Sequence, residues 1–109
     1  MMTEITDQDF DKEVLNCELP VFACFATRTC QSCYPACLIA EEIRSDYTGR
    51  VRFVKIDIQK SPDTAERYRI TAVPTLIVFQ GCRPVKRLIG FQRRGALRAL
   101  LNKCTVEGT

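Results

Sequence analysis

The stretch Pro20-Val21-Phe22-Ala23-Cys24-Phe25-Ala26 constrains the fold more than any other part of the chain. A near-continuous apolar run is what a strand buried on both faces requires. Its sheet must then be covered by other elements on each side. The run is followed by Cys30-Gln31-Ser32-Cys33 and then by a helical pattern. Two cysteines three apart, where a strand exits and a helix starts, form a dithiol that can open and close a disulfide. Free N–H groups and the positive end of the dipole at a helix start stabilise a thiolate there. The thiolate is the attacking species in disulfide exchange.

The remaining pattern completes a layered α/β order. Thr3-Glu4-Ile5 reads as a short strand, and Thr6 as an N-cap with Asp7 and Asp9 in the first turn ahead of Phe10, Val14 and Leu15. Ser32 to Tyr47 reads as a helix with Leu38, Ile39, Ile43 and Tyr47 inward and Glu41, Glu42 and Arg44 outward, ended by Gly49. Pro35 falls in its first turn, where a missing N–H is harmless. Val51 to Ile58 alternates as a strand does. Ser61-Pro62-Asp63 predicts a capped helix start with proline at the first position, running to about Tyr68. Thr75–Phe79 and Pro84–Gly90 predict a hairpin around Gln80-Gly81-Cys82-Arg83, and Arg94 to Leu101 a last helix with Leu97, Leu100 and Leu101 inward. The predicted order is β-α-β-α-β-α-β-β-α, a mixed sheet with helices on both faces.

A chain of 109 residues is expected to form one domain, 1–109. The N-terminal residues are acidic and have no apolar signal core, and no apolar run is long enough to span a bilayer. A cytoplasmic protein without membrane association is therefore expected. Seven cysteines, an odd number, exclude a fully paired disulfide scaffold within one chain. The absence of histidine excludes Cys-His nucleophile pairs and Cys/His zinc sites. Residues 1–49 carry net charge −6 and residues 50–109 net +9. The basic residues are scattered through predicted elements without interleaved aromatics, which reads as a solvated basic face rather than a nucleic-acid site.

The order of elements, with Cys30-Gln31-Ser32-Cys33 after the second strand and Ile70-Thr71-Ala72-Val73-Pro74-Thr75-Leu76 entering the fourth, resembles the thioredoxin family. Val54-Lys55-Ile56-Asp57 and the hairpin glycines Gly81 and Gly90 extend the likeness from about Thr3 to Lys103. The resemblance implies a thioredoxin fold with about five strands and about four helices. It implies a thiol–disulfide oxidoreductase with Cys30 as nucleophile and Cys33 as resolving thiol. It also implies a cis Pro74 against the dithiol, with the backbone of Val73 receiving an extended substrate segment by strand addition. Thr29, before the dithiol, and Gly90 join Val73 and Pro74 as candidate substrate-binding positions. The implied partners are disulfide-containing proteins and an electron donor, a thioredoxin-reductase-like enzyme or a small thiol. No cofactor or metal is required, and a monomer is expected.

Four departures from the family pattern matter. The tryptophan before the dithiol is Thr29, and the Gly-Pro pair between the cysteines is Gln31-Ser32, two residues able to hydrogen-bond a sulfur. A potential less reducing than thioredoxin's is expected. Cys24 occupies the place of a buried aspartate that, in the family, relays the proton of the resolving cysteine; either Lys55 and water handle that proton or resolution is slow. Cys30, Cys33 and Cys37 are expected on one helical face with Cys24 on the strand beneath it. Cys24 and Cys37 then read either as relay thiols or as small buried hydrophobes. Cys17, Cys82 and Cys104 read as inert thiols of a loop, a turn and a helix end. Two other readings stand beside the oxidoreductase. One is a binding module docking a partner at Val73-Pro74. The other is a metal or iron–sulfur module held by Cys24, Cys30, Cys33 and Cys37.

Overall fold

The computed structural model describes residues 2–107; Met1, Gly108 and Thr109, at the ends of the expected domain, lie outside the described residues. Five strands form one sheet in the order β1-β3-β2-β4-β5: β1 Thr3–Ile5, β2 Val21–Ala26, β3 Arg52–Asp57, β4 Thr75–Gln80 and β5 Arg83–Ile89. The β1–β3 and β3–β2 pairs are parallel and the β2–β4 and β4–β5 pairs antiparallel. Every residue of β2 is buried, as the apolar run requires. Its side chains alternate between two cores: Phe22, Cys24 and Ala26 on one face, Val21, Ala23 and Phe25 on the other.

Helix α1, Cys33–Arg44, packs on the first face with α3, Arg94–Glu107, beside it. Its inward stripe is Cys33, Ala36, Ala40 and Ile43. Leu38, expected inward, is instead 46% exposed. The small Ala36 and Ala40 hold the stripe that meets the sheet, and Leu38 lies off it. The helix stops at Arg44, and a 3-10 turn, Ser45–Tyr47, carries Tyr47 into the core. There its hydroxyl donates to Asn102 Oδ1 at 2.7 Å. The last helix runs past the expected end at Leu101, so Cys104 is not a helix-end thiol but a buried core residue of α3.

Two helix starts differ from expectation. Thr6 does not cap a helix: its hydroxyl donates to Asp9 Oδ2 at 3.4 Å, and the first helix is a five-residue π-helical turn, Asp11–Leu15, closed by Asn16 N–H on Asp11 O. Phe10 and Val14 are nonetheless buried as their spacing predicts. Helix α2, Pro62–Arg67, has its proline at the first position, yet Ser61 makes no capping bond. Asp7 caps it from across the chain, accepting from Asp63 N–H at 3.1 Å, Thr64 N–H at 2.9 Å and the Thr64 hydroxyl at 2.7 Å. The hairpin turn carries positive φ at both Gly81 and Cys82, the two-residue geometry that matches strand twist. In β5, Pro84 faces Phe79 where the ladder register shifts, so its missing N–H falls at a bulge.

Candidate active site

Chain direction places the dithiol. β2 ends at Ala26, a six-residue loop follows, and α1 begins at Cys33. Cys30 therefore precedes the helix rather than lying on its face with Cys33 and Cys37. Cys30 and Cys33 are joined as a disulfide, with Cα atoms 5.3 Å apart. Cys33 is 3% exposed, whereas Cys30 is only half-buried. The Cys33 N–H donates to Cys30 Sγ at 3.1 Å and the Ser32 hydroxyl at 3.5 Å. Two donors at the open helix start thus converge on the more accessible sulfur.

The Val73–Pro74 peptide is cis, and the Val73 carbonyl oxygen lies 3.7 Å from Cys30 Sγ. The loop is tied down on both sides. Thr75 Oγ1 donates to Ala72 O at 2.6 Å, and Gly90 N–H donates to Pro74 O at 2.8 Å. Gly90 sits at φ +90°, a conformation that side-chain-bearing residues rarely adopt. Gly90 is thereby joined to Val73 and Pro74 in one loop pair, with Ile89 61% and Phe91 46% exposed on either side of it. Thr29 is exposed on the loop before Cys30. Tyr34, directly after Cys33, is 73% exposed. Sequence reasoning passed over Tyr34, Ile89 and Phe91; their only signal is an apolar residue at a position the periodicity turns outward.

Behind the disulfide is a cavity of about 140 Å³, bounded by Ala26, Thr27, Arg28, Tyr34, Lys55 and the sulfurs' residues Cys30, Cys33 and Cys37. Lys55 is brought there by register, since β3 places it level with Cys24 of β2. Cys24 is wholly buried under α1, and its Sγ lies 3.2 Å from Cys37 Sγ. That hydrogen bond pushes the Cys24 thiol well above its ordinary value, with burial adding and the Lys55 charge opposing. The same bond lowers Cys37 to about 7, helped by Lys55 and opposed by burial and Glu41. Once Cys37 is ionised it has no proton to donate and accepts from the Cys24 S–H. Cys17 is half-buried and Cys82 exposed, both away from this cluster. Among the described residues no group of three or more cysteine, aspartate or glutamate side chains is arranged to hold a metal ion.

A mixed five-stranded sheet with a disulfide at a helix start and a cis-proline loop against it defines the class of dithiol–disulfide proteins. The thioredoxin family model matches residues 1–103, and the chain belongs to that family. It is 34% identical over 102 residues to a thioredoxin of Staphylococcus aureus (strain Mu50), covering 94% of this chain and 96% of that one. It is also 34% identical over 94 residues to a bifunctional thioredoxin reductase/thioredoxin of Mycobacterium leprae, covering 86% of this chain but only 20% of that longer protein. No helix among the described residues is long and apolar enough to cross a membrane.

Proposed function

We propose that this protein is a thiol–disulfide oxidoreductase that reduces protein disulfides through Cys30 and Cys33. The observation that carries the reading is the unequal exposure of the two sulfurs in one disulfide: Cys30 is reachable and Cys33 is buried. In the reduced protein the Cys30 thiolate attacks a substrate sulfur, and the substrate's other sulfur leaves. Cys33, shielded from substrate, then attacks Cys30 Sγ, frees the second substrate thiol and restores the disulfide. The Cys33 N–H and the Ser32 hydroxyl stabilise the Cys30 thiolate of the reduced protein. The proton of Cys33 leaves through the cavity that Lys55 borders.

The Val73 carbonyl beside Cys30 supports strand addition of an extended substrate segment at the cis-proline loop, with exposed Ile89 and Phe91 beside it for apolar side chains. Electrons come from a reductase of the thioredoxin-reductase type or a small thiol; the fused reductase/thioredoxin relative supports the first. The protein acts in the cytoplasm as a monomer. The metal-module reading lacks a ligand set among the described residues.

The test is dithiothreitol-driven reduction of insulin disulfides. Intact protein should accelerate the reaction, and Cys30→Ser should return it to the rate of dithiothreitol alone. Turnover that survives in Cys30→Ser would refute the assignment. Partner capture lost in a Pro74 variant but kept in Cys30→Ser, with no turnover in the intact protein, would identify a binding module instead.

A further inference from the structure

We infer that Cys24 and Cys37 form a second dithiol–disulfide couple, which takes up the disulfide from Cys30 and Cys33 by intramolecular exchange. The inference rests on the oxidoreductase reading above and adds a destination for its disulfide. Three observations carry it. The two sulfurs are 3.2 Å apart, at hydrogen-bond distance, and join β2 to α1. Cys37 lies one helical turn beyond Cys33 on the same face of α1, where i and i+4 side chains are neighbours. All four residues belong to one packed cluster, and Cys37 borders the cavity that Cys30 and Cys33 also border.

The exchange balances without an outside oxidant. Cys37, as thiolate, attacks Cys33 Sγ; the Cys30–Cys33 bond breaks and its electron pair leaves on Cys30. Cys24 then attacks Cys37 Sγ, the Cys33–Cys37 bond breaks, and Cys33 leaves with the proton that Cys24 gives up. One disulfide is reduced and two thiols are oxidised. Cys37 is poised for the first attack because its thiolate is populated near neutral pH. The i,i+4 intermediate needs the first turn of α1 to open, since helical neighbours keep Cβ atoms about 5–6 Å apart and a disulfide brings them to about 3.8 Å. That turn is weakly held. It has no side-chain cap at Ser32, its Ala36 N–H to Ser32 O bond is 3.4 Å long, and Pro35 has no N–H to contribute.

Tryptic cleavage separates the two disulfides. Cutting after Lys12, Arg28 and Arg44 leaves Cys24 in peptide 13–28 and Cys30, Cys33 and Cys37 together in peptide 29–44. Reduced full-length protein is given one molar equivalent of diamide, held for increasing times, quenched with acid and N-ethylmaleimide, digested and analysed by mass spectrometry. The expected result is a disulfide inside 29–44 that gives way to a 13–28/29–44 cross-link placed by fragmentation on Cys24 and Cys37, with the cross-link lost in Cys33→Ser. A disulfide inside 29–44 with no cross-link at any time overturns the inference and leaves the oxidoreductase reading intact. A cross-link that forms equally fast in Cys33→Ser overturns delivery by exchange. Absence of any disulfide inside 29–44 overturns both. A bond that fragmentation places on Cys17 counts against the inference.

Discussion

Ser32 gives Cys30 a hydroxyl donor that a proline at that position would not supply. A hydrogen bond to the charged form favours the thiolate, and stabilising the reduced dithiol makes the couple more oxidising. The potential of Cys30–Cys33 should therefore lie above thioredoxin's, about −270 mV. Equilibration with glutathione measures it, and a value at or below that figure would refute the argument. Ser32→Pro should lower it. Further inside, the Cys24–Cys37 contact divides two chemically identical side chains into unlike acids. In a Cys30→Ser/Cys33→Ser protein, where no disulfide can pass to Cys37, its alkylation by iodoacetamide should rise with pH to a midpoint at about 7 and then level off, while buried Cys24 stays unmodified. The groups that set this midpoint are Cys24, Lys55 and Glu41. Cys24→Ala removes the S–H donor and should move it upward toward the ordinary thiol range. An unchanged midpoint would assign the shift to Lys55 alone.

Among elements, α2 shows how far a cap can come from its helix. Burial pushes the Asp7 carboxyl up, but hydrogen bonds from Thr64 and Asp63 outweigh it and hold the group below its ordinary value. A carboxyl lowered in the folded state contributes stability above its unfolded value near 3.8, and the contribution is lost as pH falls below that value. Asp7→Ala should cost about 1 kcal/mol at pH 7 by chemical denaturation. The cost should shrink as pH falls through the lowered value of the folded carboxyl, because the protonated group no longer accepts these bonds as a charge. A cost independent of pH would point to packing instead. Tyr47→Phe should cost about 1 kcal/mol by leaving Asn102 without its donor. These contacts also mark what could be read from the chain alone. Local pattern located the strands, the Cys30–Cys33 motif and the hairpin turn, because two-residue alternation and turn residues are written in adjacent positions, whereas the place of the proline loop against the dithiol came from the family resemblance. It misjudged Leu38, because hydrophobicity ranks leucine above alanine while close approach of α1 to the sheet selects Ala36 and Ala40. It gave the α2 cap to Ser61, because the side chain that performs it lies more than fifty residues earlier. The meeting of Cys24 with Cys37 followed from a strand beneath a helical face; the inequality it creates did not, since that depends on how deeply the fold buries each sulfur.

Across the whole molecule, the uneven charge of the sequence has a structural use. The basic second half does not simply face solvent. Arg52 pairs with Glu13, Lys60 with Glu4, Arg67 with Asp11, Arg94 with Glu42 and Arg98 with Asp46. Each of these pairs joins the acidic first half to the basic second half. Arg87 is spent differently, donating to the carbonyls of Tyr68 and Arg69 at 2.6 and 2.7 Å. The sheet makes the same join, because β3 from the second half lies between β1 and β2 of the first. An exposed pair contributes only about 0.2–1 kcal/mol, so the stability of the intact chain should change little with salt. Long-range attraction between separated parts is another matter, as it acts before contact and is screened over about 10 Å at 0.1 M ionic strength. Gly49, at φ +80° in the loop between Tyr47 and β3, divides the two charge blocks. A chain severed there would yield an anionic and a cationic fragment that seek each other in solution. Their rate of recombination, followed by recovery of disulfide-reducing turnover, should fall steeply as salt is added, while the fold they rebuild stays the same.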